Sequence, residues 1–436
     1  METISIRKQR SVLIGLSAAI WRTKIAARVF GGYAKSLKKT GTVLSWSLNP
    51  IQSAKRWPLL LSLALLALAP FRSLTAETKA SSAFTYIHDE VPERPWSIHI
   101  VKIDRSASDF QLDTVLAESS SFGLGPLPDQ IQHIPADFGR PIAAINGDFY
   151  DREWPYEGDP KGLQIIQGEL ISAPGPWSCF WMDEKSEPHL GIVNSELAVT
   201  WPNGKTTPVG LNERRGNSAA VVYSRAVGSS THTSRGREII LEPAPGSREF
   251  PLKPEGQYTL RVREIRERGD APVSAQTLVL SLGPSLARSV PKVGPGDIIH
   301  FSSATSPSLK GSQTALGGGP ALIHEGKPHG ETYERRHPRS AIGWNKDYFY
   351  FLVVDGRQPS LSIGMTTAEI ANYMKKLGCD EALNLDGGGS ATLWVLGQVV
   401  NSPCEGRERS VANSLVLLQK RKAETNGPAA NSFAHH

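Results

Sequence analysis

Cysteine is nearly absent from this chain: Cys179, Cys379 and Cys404 are the three in 436 residues. They form no Cys-x-x-Cys pair and have no Cys/His spacing suited to zinc, which excludes a disulfide scaffold and a zinc fold. In an oxidising compartment Cys379 and Cys404 can pair and leave Cys179 free, while three free thiols is the alternative of at least equal standing. The eleven histidines show no His-x-x-x-His pair. No Gly-x-Ser-x-Gly is present, so a serine-esterase elbow is excluded. No Gly-Lys-Ser/Thr loop is present either, so an NTPase phosphate cradle is excluded. Long hydrophobic runs are also lacking. The most apolar one, Trp57 to Phe71, is shorter than the ~20 residues of a membrane span but suits a signal-peptide core.

Acidic residues are missing from one region in particular. Residues 1–72 hold twelve Lys/Arg against Glu2 alone, a charge of +11, whereas the whole chain is at +6; the remainder is therefore at −5. The basicity belongs to the leader, and nucleic-acid binding loses its main support. Export is expected, by a signal peptide or an uncleaved signal anchor within 1–76, with small residues near Ala76 as a cleavage site that Leu74 fits poorly. Residues 77–95 read as a linker, 96–420 as one catalytic domain and 421–436 as a disordered tail. Apolar content of 39% and charged content of 21% suit a globular domain.

From Trp96 the chain turns strand-like. Ser97–Ile103 alternates, Pro141–Ile145 is a short apolar run stopping at Asn146-Gly147-Asp148, and further strands are expected at 162–167, 219–223, 258–262, 277–281 and 298–302. Residues 203–275 read as loops or an insertion. Tyr348–Val354 is a dense β-forming run ending in Asp355-Gly356-Arg357. Thr366 and Glu369 have capping-box spacing, Ile370, Ala371, Met374 and Leu377 make one apolar helix face, and Gly378 ends it. A short strand, Ala382–Leu385, leads to Asp386-Gly387-Gly388-Gly389-Ser390. Strand, helix, strand predicts an α+β fold whose mixed sheet carries Asp355 and Asp386 at one edge, if the two strands are parallel neighbours.

That edge gathers two carboxylates, one arginine and a triple-glycine turn. Paired carboxylates suit glycoside hydrolysis, and Arg357 suits bidentate phosphate binding. The same aspartates can instead bind a divalent cation, or simply end strands in Asp-Gly turns. Glu369 reads as a cap rather than a catalytic acid. In Arg335-Arg336-His337-Pro338-Arg339, Arg339 is the better anion ligand. Asn146 and Asp148 line the pocket or only shape a turn.

These residues resemble the phosphodiester glycosidase family from about residue 98 to 418. The anchors are Asn146–Tyr150, Gly317–Pro320, His337–Gly343, Val354–Arg357, Ser362–Thr366, Leu383–Ser390, Asn401-x-Pro403 and Glu408–Asn413. Where the family usually has Asn-Gly-Gly-Phe-Phe, this chain has Asn146-Gly147-Asp148-Phe149-Tyr150, so Asp148 adds a carboxylate. The resemblance implies cleavage between a sugar's anomeric carbon and a phosphate oxygen. It implies Asp386 as nucleophile or water-activating base, and Asp355 as positioning group or partner in acid/base work. Arg357, Arg339 and Arg409 would hold the phosphate, and Asn384, Ser390 and the amides of Gly387, Gly388 and Gly389 would complete the pocket. Bacterial members are often described as exopolysaccharide-related, which makes a glycan phosphodiester of the envelope the expected partner, with no cofactor. Acidic loops leave room for a structural divalent cation. Two rivals stand beside this expectation. A metal-dependent phosphodiesterase would be sensitive to chelators and cleave P–O, and a polysaccharide-binding or assembly factor would bind without turnover.

Overall fold

The computed structural model describes residues 83–421; the leader with its signal or anchor, and the tail from 422, lie outside the described residues. Thirteen strands that position the site are numbered in chain order. They are β1 (Phe84–Val91), β2 (Trp96–Asp104), β3 (Phe110–Leu116), β4 (Arg140–Asn146), β5 (Thr314–Gly317), β6 (Ala321–His324), β7 (Lys327–Pro328), β8 (Arg339–Trp344), β9 (Tyr348–Val354), β10 (Glu381–Asn384), β11 (Leu393–Val395), β12 (Gln398–Val399) and β13 (Asn413–Gln419). Two α-helices stand among the described residues, α1 (Leu127–Gln132) and α2 (Thr367–Lys376).

The β-rich pattern dominates, and the expected α+β class is corrected to a mostly-β fold of four sheets. One has seven strands in the order β1-β2-β9-β8-β10-β6-β7, and a second has five, β12-β11-β4-β13-β3. A third, five-stranded, contains β5, and a fourth has eight strands drawn from residues 194–306. Pairing is antiparallel throughout except where Gly210–Leu211 meets the strand Ala220–Tyr223. The strand-helix-strand unit does not make parallel neighbours. Arg339–Trp344 inserts between β9 and β10 and pairs antiparallel with both. The two outer strands still run in the same direction, so their carboxyl ends share an edge, and Asp355 and Asp386 follow those ends. Local pattern marks a strand but not its neighbour, because partners come from distant chain.

The run Tyr348–Val354 is apolar at every position because both faces of β9 are covered. Phe349, Phe351 and Val353 pack with Ile145, Leu393 and Leu415 of the second sheet, while Tyr350, Leu352 and Val354 pack with Ile370, Ala371 and Met374 of α2. Thr366 caps α2 as its spacing predicts, with its hydroxyl accepting from Glu369 N and the Glu369 carboxylate accepting from Thr366 N.

Two further expectations change. Residues 84–91, inside the stretch read as a linker, form β1, which pairs along its whole length with β2. Within residues 203–275, read otherwise as loops or an insertion, the strands expected at 219–223 and 258–262 are present as Ala220–Tyr223 and Gln257–Arg266, and an unforeseen one, Arg237–Pro243, joins them in the eight-stranded sheet. That sheet packs Trp201, Tyr258 and Phe301 into a large core shared with Ile165, Leu170, Cys179 and Ala315 of the third sheet. All three cysteines are free, with Cys179 and Cys379 buried. No helix among the described residues is long and apolar enough to cross a membrane.

Candidate functional site

Three segments converge at the carboxyl ends of β4, β9 and β10. Asn146, the last residue of β4, is wholly buried and wires them together. Its amide donates to the Asp386 carbonyl at 2.6 Å, and its carbonyl accepts from Ser340 Oγ at 2.7 Å and Thr392 N at 3.1 Å. The Asp386 amide in turn donates to the Gly147 carbonyl at 3.0 Å. Asn146 is therefore a strut, with its carbonyl filled and its amide held by the Asp386 carbonyl.

Asp355 is also enclosed. Its Oδ2 accepts from Ser97 Oγ and lies 2.9 Å from His99 Nε2, while Oδ1 accepts from Ser402 N at 2.9 Å and Asn401 Nδ2 at 3.2 Å. With 1% of its surface exposed, it faces protein on every side. His99 Nδ1 meets Tyr86 Oη at 2.8 Å, which carries this network out to β1. Neither Ser97 nor His99 was singled out in the sequence, since they lie more than 250 positions from the carboxylate they hold.

Asp386 stands instead in a half-open setting with Asp148. Burial raises the Asp386 carboxyl above the ordinary range, against the opposing pull of the Ser390 hydroxyl and the Arg152 and Arg409 guanidiniums. Asp148 is 2% exposed, and burial pushes its carboxyl up to about 8 although it accepts from Phe149 N and Gly162 N at 2.7 Å; the negative charge of Asp386 adds to the rise. Burial disfavours the charged form of both carboxyls, and one held near 8 keeps its proton at neutral pH. Asn413 fixes this residue by accepting from its amide at 2.8 Å.

The glycine turn is filled by neighbours. Gly388, at φ +63°, has the Arg357 Nη2 only 3.0 Å from where a Cβ would stand, and at Gly389 a Cβ would run into Arg409 and Glu405. Arg357 itself takes a left-handed φ of 59°, a conformation costing about 1 kcal/mol or more, and lies against His337 and Cys404. Burial and the Arg357 and Arg339 charges hold His337 below its usual range. The Gly388 amide is already donated to the Pro338 carbonyl at 2.9 Å, so it is not free to cradle an anion. Arg409 pairs with Glu405.

The remaining expected residues divide. Arg339 turns toward Glu334 at 2.8 Å and donates from Nε to the Met365 carbonyl, bracing the loop before β8. Asn384 and Ser390 flank Asp386, and the Asn384 side-chain oxygen is buried without a hydrogen-bond partner. Arg152 was missed; it lies 5.3 Å over the Tyr150 ring, and only its place after the Asn146–Tyr150 motif could have pointed to it. Among the described residues no three His, Cys, Asp or Glu side chains form a metal-ligating group. A 670 Å³ cavity lined by Asp113, Gln167 and Lys346 among others touches none of these residues.

Known proteins bear on this arrangement in three ways. The SPbeta prophage-derived uncharacterized protein YomE of Bacillus subtilis (strain 168) is 32% identical over 115 residues, 25% of this chain and 18% of YomE. The chain thus matches less than a fifth of that relative's length. Two solved structures share the fold. A hypothetical protein from Synechocystis superposes with a TM-score of 0.62 at 19% identity, over 77% of this chain and 62% of that one. A Burkholderia pseudomallei protein named for presumed export gives 0.57 at 20% identity, over 74% of each chain. Residues 244–418, a stretch that holds Asp355, Arg357, Asp386 and Arg409 but not Asp148, match the family model for phosphodiester glycosidases.

Proposed function

We propose that the protein hydrolyses the bond between a sugar's anomeric carbon and a phosphodiester oxygen. The observation that carries this reading is the pair of carboxyls in unlike settings, Asp386 half-buried and Asp148 enclosed and raised to about 8 by burial, beside the Arg409 and Arg152 guanidiniums. Asp386 takes the proton of a water as the water oxygen bonds to the anomeric carbon, or attacks that carbon itself to form a glycosyl ester that water then hydrolyses, releasing the sugar and freeing the carboxylate. The carbon–oxygen bond breaks with its electron pair passing to the phosphate, which leaves as a phosphomonoester. Such a leaving group needs little protonation, and the arginines offset its growing charge. Asp148, kept neutral, adds no negative charge next to that phosphate. Asp355 holds the Asn401–Ser402 segment and acts on the site by positioning it.

An envelope or extracellular glycan is the substrate class we favour, supported by the basic, acid-poor leader and by the naming of the Burkholderia relative for export. The test is a product analysis by NMR on methyl-phospho-sugars and UDP-sugars, with and without EDTA, beside Asp386→Asn. Free reducing sugar plus intact phosphomonoester, lost in the variant, is the expected outcome. Release of sugar phosphate would mean P–O cleavage and would overturn the reading.

A further inference from the structure

One sheet edge among the described residues is neither short nor covered. The other sheet ends are strands of two to five residues, apart from β3, which is mostly buried. β1 has eight residues, Phe-Thr-Tyr-Ile-His-Asp-Glu-Val, and most of them are exposed. It pairs with β2 without a bulge and holds no proline or lysine, the devices by which an edge strand refuses a partner.

The pairing with β2 defines the open side. Asp104 N donates to the Ala83 carbonyl at 2.8 Å, so these two form a hydrogen-bonded pair. Such pairs alternate along an antiparallel ladder, and the register then turns the backbone groups of Thr85, Ile87 and Asp89 toward β2. Those of Phe84, Tyr86, His88 and Glu90 point away from the sheet.

This edge suits a copy of itself. With a second β1 antiparallel to the first and a two-fold axis through Ile87, the outward groups meet: Tyr86 faces the partner's His88, and Phe84 the partner's Glu90. Each such pair exchanges two hydrogen bonds. On the other face Ile87, 37% exposed, meets the partner's Ile87, and Thr85 meets the partner's Asp89. No like charges stand opposite each other. Sliding by two residues sets Ile87 against the partner's Thr85 or the partner's Asp89 and shortens the overlap.

The side chains of β1 add a second reason. His88 stacks on His99, centroids 4.3 Å apart at 9°, and its Nε2 lies 3.0 Å from Ser97 Oγ. Tyr86 Oη meets His99 Nδ1 at 2.8 Å. The hydrogen-bonded chain from Asp355 thus runs out to the bare edge, and the same two-fold places the partner's Tyr86 beside His88 to continue the row.

We infer that the protein forms a two-fold dimer in which β1 pairs antiparallel with β1 of a second copy, joining two seven-stranded sheets into one. The pairing uses up the open edge, so the assembly closes at two. This surface stands independently of the hydrolytic reading.

The test is sedimentation velocity on the full chain over a range of concentrations, where a reversible dimer is expected. Ile87→Lys sets two ammonium groups face to face and should raise the dissociation constant roughly tenfold or more, as should Ile87→Glu with its two carboxylates. An equimolar mixture of these variants should regain the dimer, because opposite charges then meet across the axis. Ile87 is partly exposed, so the circular dichroism of both variants should match that of the parent, which guards against misfolding as the cause. Ile87→Cys, incubated with oxidised glutathione, should give a chain-to-chain disulfide that the parent and Thr85→Cys do not give, since only position 87 faces itself. A chain that stays monomeric, a dimer indifferent to Ile87→Lys, a mixture that fails to regain the dimer, or no cross-link through Ile87→Cys overturns the pairing.

Discussion

Replacing Asp148 by asparagine converts its buried proton into a measurable pH dependence. An aspartate in the unfolded chain titrates near 3.9, whereas burial holds Asp148 at about 8. Between those values the folded protein retains a proton that the unfolded chain has released, so stability falls as pH rises and the loss is complete once pH passes the folded value. From pH 6 to pH 9 about two units of this difference disappear, which is roughly 2–3 kcal/mol. For a domain of this size that corresponds to a fall in melting temperature of roughly 5 °C. The carboxamide of Asp148→Asn has nothing to ionise. The variant should start less stable at pH 6, because a carboxamide cannot accept with both ends from Phe149 N and Gly162 N. Its curve should then be the flatter one. Asp113, raised to about 6 by burial, and Asp159, raised by burial well above the usual range, add slopes of their own. They do so in both proteins, and the difference between the two isolates Asp148. Urea unfolding at pH 6, 7, 8 and 9 gives that difference directly. Parallel curves for the parent and Asp148→Asn would refute the protonated carboxyl and with it the unlike pair.

The other expectations follow from the same geometry. Activity on a sugar phosphodiester should decline above about pH 8 as Asp148 ionises beside Asp386, and Asp148→Asn should move or remove that alkaline limb in a kcat/KM profile. Asp355→Asn should cost about 2–4 kcal/mol in urea unfolding, because one end of the carboxamide becomes a donor facing donors; full stability in the variant would contradict the enclosed shell. Gly389→Ala should lower kcat/KM sharply by displacing Arg409, an effect that a steady-state assay would separate from the milder change expected for the exposed Gly397→Ala. Arg409→Ala and Arg152→Ala should each reduce kcat/KM on the phosphodiester by roughly tenfold to a hundredfold, and undiminished activity in both variants would remove the arginines from phosphate binding.

Much of the local structure was legible. Tyr348–Val354 is a strand with the bounds its composition suggests, and the Thr366–Glu369 box starts a helix where it should. Both signals are short-range: β-branched and aromatic runs, and a hydroxyl three residues from a carboxylate. What failed was partner choice. Nothing in Arg339–Trp344 announces that it will lie between β9 and β10, and a helix between two strands invites a parallel reading that the antiparallel insertion defeats. In the polar stretch at 203–275 the apolar alternation at 219–223 and 258–262 marked two strands, whereas Arg237–Pro243, flanked by charge, was not marked. In the site, the Asp386 turn was readable from its glycines. The enclosure of Asp355 was not, because Ser97 and His99 reach it from the other end of the domain. Arg152 likewise lies in a loop whose neighbours are set only by the finished fold.

The second sheet has a consequence for when the site comes into being. β13 is not an edge: it lies between β3 and β4, pairing with both, although hundreds of residues separate it from them. Its first residue, Asn413, holds the Asp148 amide, and the Asp386 turn docks on Gly147 beside it. On a ribosome, a nascent chain that stops short of residue 413 has its early strands and its glycine turn but no central strand to join them. The carboxyl pair is therefore assembled only after synthesis has passed Asn413.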